Sequence, residues 1–196
     1  MPSTDPAPSP LPQRVVVIGT TGAGKTTLAE HVARMLDARF VELDGFFHEA
    51  DWQPAELDVF RARIAAAIDT PRWVSAGNYR TLVEDLLWRA ADTIAWLDYP
   101  FPLVMWRLFW RTLRRGVRNE ELWNGNRESL RAQFFTSDSL FNWARKSHWK
   151  HRREWTARLA APDLAHVRVV RLRSPSSTNA WVGSIRSTIA STSISG

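Results

Sequence analysis

The chain of 196 residues contains no cysteine, and none of its apolar runs approaches the length of a membrane span. Without cysteine there is no disulfide framework, no thiol nucleophile and no cysteine-ligated metal, and such a chain fits a reducing cytoplasm. The most apolar piece, FPLVMW, begins at Phe101 and stops at Arg107, well short of the roughly 20 residues of a transmembrane helix. We therefore expect a cytoplasmic protein that does not act in a membrane.

Both ends of the chain lack the patterns of folded structure. Residues 1–13 are rich in proline and serine and have neither the basic start nor the apolar core of a secretory signal. They predict a disordered leader, and residues 191–196 predict a frayed tail. Residues 14–190 between them predict one domain, which suits a chain of this length.

Positive charge is in excess, with a formal net charge of +6 and a pI of about 10.6. A basic chain can bind nucleic acid, an anionic membrane or phosphorylated ligands. A phosphate-handling enzyme also needs arginines, so the charge does not choose among these classes.

Apolar runs of strand length alternate with segments whose apolar residues recur at helical spacing. This alternation is typical of parallel sheets that are covered by helices on both faces. It predicts an α/β fold of three layers with a five-stranded parallel sheet. The predicted strands are 14–19, 38–44, 72–77, 92–98 and 166–172, and the predicted helices are 25–37, 55–69, 80–90, 100 to about 117, 128–160 and one from 175 onward.

The strongest motif is GTTGAGKTT, which contains the pattern G-x-x-x-x-G-K-T and lies between a predicted strand and a predicted helix. That context is typical of loops that bind nucleotide phosphates, the alternative being a plain glycine turn. The glycines let backbone amides approach phosphate oxygens, Lys25 can reach the β- and γ-phosphates, and the Thr26 hydroxyl can contact Mg²⁺. ATP and Mg²⁺ are therefore the predicted ligands, with contacts from Gly19, Thr20, Thr21, Gly22, Ala23, Gly24, Lys25, Thr26 and Thr27.

The rest of the sequence favours phosphoryl transfer over the other uses of this loop. The N-K-x-D motif with which GTPases read their base is absent, and the chain is short for an oligomeric mechanical ATPase. A kinase needs an acidic side chain near the acceptor, cations for the transferring phosphoryl group and a cover that excludes water.

Glu42 and Asp44 are candidates for the acidic side chain. They lie two residues apart at the end of the second predicted strand, so we expect them to share a face at the ligand edge of the sheet. Asp44 is the better placed to orient or deprotonate the acceptor or to hold a Mg²⁺-bound water. The alternative is an aspartate that only caps a loop.

A basic stripe supplies candidate cations. Arg107, Arg111, Arg114 and Arg118 share one helical face, and Arg115 is adjacent. The stripe leads into a polar break, which predicts a lid over about 115–130 that brings guanidinium groups to the phosphoryl group on closure. A solvated basic face is the alternative.

These pieces together resemble the adenylate-kinase-like P-loop kinases, which include nucleotide monophosphate, shikimate and gluconate kinases. More closely, the chain resembles the small bacterial proteins known as adenylate kinase-related or DNA topology modulation proteins. The resemblance covers roughly residues 14–175. It is carried by GTTGAGKTT, VELDGFF, WVSAGNYR, DTIAWLDYP and WRLFWRTLRRGVRNEELWNGNRE.

The resemblance implies an ATP-dependent phosphotransferase with a small acceptor-side helical insert over about 45–70 and a lid after the fourth strand. Asp44 would face the acceptor, and either Arg61 or Arg63 would bind a substrate anion. Arg80 would hold an acceptor phosphate. Phe47 and Asn78 complete the predicted acceptor site.

The resemblance also bears on the nucleotide. Adenine would lie near Arg111 or Arg115 and against the loop at Arg173. Ala76 stands where nucleotide monophosphate kinases have aspartate, which speaks against a metal role at that strand and against AMP as acceptor. Asp98 ends an apolar strand and predicts either a Mg²⁺ ligand or the cap of the next helix.

A second hypothesis rests on the basic, tryptophan-rich second half of the chain. Aromatic rings among arginines can stack the bases of single-stranded nucleic acid, although packing is the favoured explanation for most of these rings. The alternative function is a nucleotide-switched nucleic-acid-binding or regulatory protein with slow ATP hydrolysis. The rings are Trp106, Trp110, Trp123, Trp143, Trp149 and Trp155.

Overall fold

The structure is a computed structural model that describes residues 11–118, 124 and 140–194. The strands are β1 Arg14–Gly19, β2 Arg39–Glu42, β3 Trp73–Ala76, β4 Thr93–Leu97 and β5 Arg168–Leu172. The helices are α1 Lys25–Leu36, α2 Leu43–Phe47, α3 Leu57–Ile68, α4 Arg80–Leu87, α5 Phe101–Arg118, α6 Leu140–Leu159 and α7 Pro175–Ile194. Short 3-10 helices span Ala50–Trp52 and Pro162–Leu164.

The five strands form one parallel sheet in the order β2-β3-β1-β4-β5. The central strand β1 pairs with β3 on one side and β4 on the other, so the loop after β1 lies where the connections diverge to the two halves of the sheet. Ligands bind at such switch points in open α/β sheets. The predicted fold class, a three-layer α/β fold with a five-stranded parallel sheet, is confirmed.

Side chains of β1 alternate between two separate cores. Val15 and Val17 pack with Val32 of α1 and with α7 on one face of the sheet, whereas Val16 and Ile18 pack with α3, α4 and α6 on the other. Because both faces are covered, the strand is apolar throughout rather than alternating with polar residues. This double burial fixes the end of β1 firmly beneath the loop that follows it.

Several boundaries differ from the predictions at the ends of elements. Leu11 of the predicted leader packs against one core, and the backbone N–H of Gln13 donates to Asp92 Oδ2 at 2.8 Å. At the other end, α7 continues through Ile194, past the start of the predicted frayed tail. The segment expected to form the insert contains α2, the 3-10 helix and α3, whereas most of the expected lid lies outside the described residues.

Candidate functional site

The loop between β1 and α1 depends on glycine conformations. Gly22 has φ of 89° and Gly24 has φ of 96°, both in the left-handed region that side chains disfavour. A Cβ on Gly22 would also lie 2.9 Å from Leu108 Cβ on α5. A turn of this kind followed by a helix N-terminus presents backbone amides to an anion. Its other predicted contact residues are Gly19 at the end of β1, Thr20, Thr21 and Ala23 in the loop, and Lys25, Thr26 and Thr27 at the start of α1.

Two side chains hold this loop, here called the phosphate cradle, by its carbonyl groups. Arg107 donates from Nη1 to the Ala23 carbonyl at 3.1 Å, and its guanidinium lies 5.0 Å from the ring centre of Tyr99. Asn78 donates from Nδ2 to the Gly19 carbonyl at 2.8 Å. Asn78, predicted to bind substrate, and Arg107, predicted as part of a basic stripe, therefore both shape the cradle.

The Thr20 side chain contacts the helix α6. This side chain is buried, and its Oγ1 lies 3.1 Å from Nδ1 of His148 on α6. Burial lowers the pKa of His148 below its ordinary value. The Thr20 hydroxyl thus joins α6 to the cradle, which leaves its backbone rather than its side chain for phosphate contact.

Three charged side chains meet beside the cradle. Burial lowers the pKa of Lys25 to about 8, Asp44 opposes this shift, and Arg111 adds to it. Asp44 and Arg111 therefore lie close enough to Lys25 to act on its charge. All three were predicted as catalytic; the side chain of the fourth predicted residue, Arg115, lies outside the described part of the chain.

Asp44 lies in α2 and not at the end of a strand, so the expected pairing with Glu42 on one strand face was wrong. β2 ends at Glu42, and α2 begins at the next residue, Leu43. Leu43 is buried against Gly77, where a Cβ would come within 2.7 Å of Leu43 Cβ. Leu43 thus anchors the start of α2, the helix that holds Asp44 beside the cradle.

Tyr79 and His48 complete the surroundings of Asp44 and were missed by the sequence reasoning. The Tyr79 hydroxyl donates to Asp44 Oδ1 at 2.7 Å and lies 3.3 Å from His48 Nε2. Burial, followed by the Asp44 charge, raises the pKa of Tyr79, so the phenol stays protonated and remains a donor. The available signal was one of only two tyrosines in the chain, within the GNYR stretch.

Phe47 belongs to an aromatic cluster on the same side. Its ring centre lies 5.2 Å from that of Phe60 and 4.6 Å from that of Tyr79. These edge-on and tilted contacts add to the area that the rings bury. The cluster supports the hydroxyl that holds Asp44.

Two arginines predicted to bind acceptor anions are paired with carboxylates instead. Arg61 contacts Asp85 through both ends of its guanidinium, at 3.0 and 2.5 Å. Arg80 lies 3.1 Å from Glu84 and 3.6 Å from Glu154. In the described arrangement their charge is already balanced, so the predicted anion-binding roles of Arg61 and Arg80 are not supported.

Asp98, for which the sequence left a Mg²⁺ ligand or a helix cap open, forms ion pairs with two arginines. Its carboxylate is buried between Arg171, at 2.7 Å, and Arg152, at 3.3 Å. Guanidinium groups hold the oxygens that a metal ion or a helix terminus would need. Asp98 therefore does not fit a Mg²⁺ ligand in this arrangement.

Thr26 fits a Mg²⁺ contact better. It lies exposed in the first turn of α1, at the edge of the cradle. Among the described residues there is no group of three histidine or acidic side chains that could hold a metal. A Mg²⁺ ion that keeps several waters and is held mainly by nucleotide phosphates needs no such group.

Arg173 borders a groove of about 480 Å³ at the carboxyl ends of β4 and β5. Its walls combine two prolines, two aromatic rings and two arginines. Such walls suit a flat, polar-edged ring. The groove is lined by Asp98, Pro100, Phe101, Pro102, Trp149, Arg152 and Arg173.

The described tryptophans named in the second half of the chain differ in exposure. Trp106, Trp110 and Trp149 are 60%, 49% and 53% exposed, whereas Trp155 is buried. Trp123 and Trp143 lie outside the described side chains.

Within the described ranges, helices of sufficient length and apolarity to traverse a bilayer are absent.

A protein-family model matches the part of the chain that contains the cradle. Residues 15–72 match the family described as "ATPase family associated with various cellular activities (AAA)", a stretch that contains the cradle but spans less than a third of the chain.

Solved structures match over a longer range. A shikimate kinase from Bacteroides thetaiotaomicron is 15% identical with a TM-score of 0.53, and the match covers 91% of this chain and 99% of that one. A shikimate kinase from Acinetobacter baumannii in complex with shikimate is 14% identical with a TM-score of 0.51, over 91% and 94%. A gluconokinase from Sinorhizobium meliloti 1021 is 16% identical with a TM-score of 0.49, over 93% and 94%.

The chain therefore has the fold of the P-loop NTPases. Within that class its architecture is kinase-like, as in the two shikimate kinases.

Proposed function

We propose that this protein transfers the γ-phosphoryl group of Mg-ATP to a small acceptor. The observation that carries the proposal is the convergence of Lys25, Asp44 and Arg111 beside the phosphate cradle. A cradle with two nearby cations and one carboxylate contains the parts that phosphoryl transfer requires.

The residues divide the work by their chemistry. Backbone amides of the cradle and Lys25 bind the phosphates, and Arg111 stabilises negative charge on the transferring group. Asp44, held by Tyr79, orients the acceptor hydroxyl and accepts its proton. Mg²⁺, when bound at the Thr26 hydroxyl, supplies further charge neutralisation.

The groove beside Arg173 is the proposed site of the adenine ring. It opens at the carboxyl end of β4, the strand next to β1, so it adjoins the strand that carries the cradle. Kinship with the small bacterial adenylate kinase-related or DNA topology modulation proteins is part of this proposal, on the motifs that they share with this chain.

Calorimetry with Mg-ATP and a coupled assay for ADP test the proposal. The acceptor panel contains nucleosides, nucleoside monophosphates, shikimate and gluconate. Lys25→Ala is expected to lower acceptor-dependent ADP release about a hundredfold or more, while Lys146→Ala, an exposed lysine on α6, keeps it. No heat with Mg-ATP from a folded protein contradicts the proposal.

A nucleotide-switched nucleic-acid binder is the second candidate, favoured by the exposed rings Trp106, Trp110 and Trp149 in a basic chain. Exposed rings near cations can stack unpaired bases. Titration with labelled single-stranded DNA at increasing salt tests this candidate. For a nucleic-acid-binding protein, the logarithm of the binding constant falls linearly with the logarithm of the salt concentration. Trp149→Ala should then weaken binding at every salt concentration.

A further inference from the structure

The acceptor side of the cradle differs in charge from what an anionic acceptor needs. Three arginines, Arg61, Arg63 and Arg80, lie on or beside the insert and are called here the insert arginines. Arg63 donates to Glu49 Oε1 at 2.7 Å and to the Phe46 carbonyl at 3.0 Å. The other two have the carboxylate partners described above, so each insert arginine is already balanced by an acidic side chain.

Among the described residues, no acceptor-side cation forms an ion pair with Asp44. Its hydrogen bond comes from the neutral Tyr79 hydroxyl, and the nearby Lys25 is needed by the phosphates. A carboxylate or phosphate on the acceptor would therefore meet Asp44 without a free guanidinium among the insert arginines. Like charges brought together in this way cost several kcal/mol.

An exposed aromatic ring is connected to this carboxylate through His48 and Tyr79. Trp52 is 39% exposed, and its ring packs edge-on against His48 at 5.3 Å, next to the Tyr79 hydroxyl. Asp51 and Trp52 have φ of 55° and 58°, a left-handed pair of non-glycine residues. Each such residue costs about 1–3 kcal/mol, and strain of this kind concentrates at ligand sites.

We infer that the acceptor is an uncharged or cationic alcohol that carries a planar ring, of the nucleoside type. The inference rests on the proposed phosphotransferase function and names its substrate class. The hydroxyl would meet Asp44, and the ring would lie against Trp52, because aromatic side chains bind flat rings by stacking or edge contact.

The transfer step is balanced by the groups named. The acceptor hydroxyl gives its proton to Asp44, and its oxygen forms a bond to the γ-phosphorus of ATP. The bond from that phosphorus to the β–γ bridging oxygen breaks, and ADP leaves with the electron pair. The product is a phosphate monoester of the alcohol.

The first test compares two acceptors that differ by one anionic group. Each of the four deoxynucleosides and its 3′-monophosphate offers the same 5′-hydroxyl, and calorimetry on protein saturated with a non-hydrolysable ATP analogue measures both. We expect at least one deoxynucleoside to bind about tenfold or more tightly than its 3′-monophosphate. Equal or tighter binding of the 3′-monophosphates overturns the inference, and so does the absence of binding by every deoxynucleoside.

Charge variants test the cause of that preference. Glu49→Gln together with Asp85→Asn frees Arg63 and Arg61, so the preference for the uncharged member should shrink by about tenfold. Asp163→Asn removes a carboxylate that pairs with an arginine at 2.7 Å elsewhere, and should leave the ratio unchanged. An unchanged ratio in the double variant contradicts the role given to the insert arginines.

Ring variants test the second half of the inference. Trp52→Ala should raise KM for the deoxynucleoside with little change in kcat, and Trp52→Phe should restore it. Glycerol, an uncharged alcohol without a ring, should respond to neither. The proposed function fails separately, through the loss of Mg-ATP binding or of ADP release with every acceptor, whereas preferred turnover of anionic acceptors overturns this inference alone.

Discussion

Replacing Asp98 by asparagine separates a structural carboxylate from a metal ligand. The side chain of Asp98 is 3% exposed and contacts Arg171 at 2.7 Å and Arg152 at 3.3 Å. Removing one partner of a fully buried ion pair costs about 3–5 kcal/mol. Because the arginine side chains are 29% and 38% exposed, water offsets part of this loss, and we expect about 2 kcal/mol.

Urea unfolding of Asp98→Asn measures that loss, and a thermal scan should show Tm lowered by about 4–8 °C. Asp163→Asn removes an exposed carboxylate from an ion pair, is the matched control, and should lower the unfolding free energy much less than Asp98→Asn does. Calorimetry with ATP, with and without Mg²⁺, completes the assay, and the Mg²⁺ effect should survive in Asp98→Asn. Undiminished stability together with loss of the Mg²⁺ effect would refute the reasoning and restore Asp98 as a metal ligand.

Three further changes have defined outcomes. Burial lowers the pKa of His148 in the folded protein, and it lowers the pKa of His151 to about 4. Below pH 6.5, the ordinary histidine pKa, the unfolded chain therefore binds more protons than the folded protein does. Stability should therefore fall as pH drops from 6.5 toward 4, and a double glutamine variant should flatten that limb in urea titrations at each pH. Gly22→Ala should lower the unfolding free energy by about 2–4 kcal/mol, because of backbone strain and the close contact with Leu108. Gly183→Ala is the control: it has open space around it and should raise stability by up to about 1 kcal/mol. Equal effects of the two substitutions would contradict the cradle geometry. Tyr79→Phe should lower kcat about tenfold or more without changing Mg-ATP affinity, and should move the acid limb of the pH–rate profile upward; an unchanged profile removes its positioning role.

The parts of the fold that could be predicted depend on residues that are contiguous in the sequence. The run RVVVIG is apolar at every position because β1 is buried on both faces, and the glycines and lysine of the cradle follow it directly. Local patterns of this kind need no knowledge of distant partners. The alternation of strands and helices likewise predicts a parallel sheet covered by helices on both faces, but it does not give the order of the strands.

The parts that could not be predicted depend on side chains far apart in the chain. Tyr79 reaches Asp44 across 35 positions, and Arg171 reaches Asp98 across 73. The sequence pattern of an aspartate at the end of a strand is the same whether its carboxylate binds a metal ion or a guanidinium group. Composition likewise gives the number of tryptophans but does not indicate that Trp155 is buried while Trp106 and Trp149 are exposed.

Helix α6 contacts residues that follow three of the strands at the ligand edge of the sheet. His148 meets Thr20 in the cradle, Arg152 meets Asp98 after β4, and Glu154 lies near Arg80 after β3. The helix therefore connects these segments. A shift of α6 along its axis would displace residues on the nucleotide side and on the acceptor side together. A substitution that unseats α6 should thus change both affinities together, although the helix lies more than a hundred positions from the cradle in the sequence.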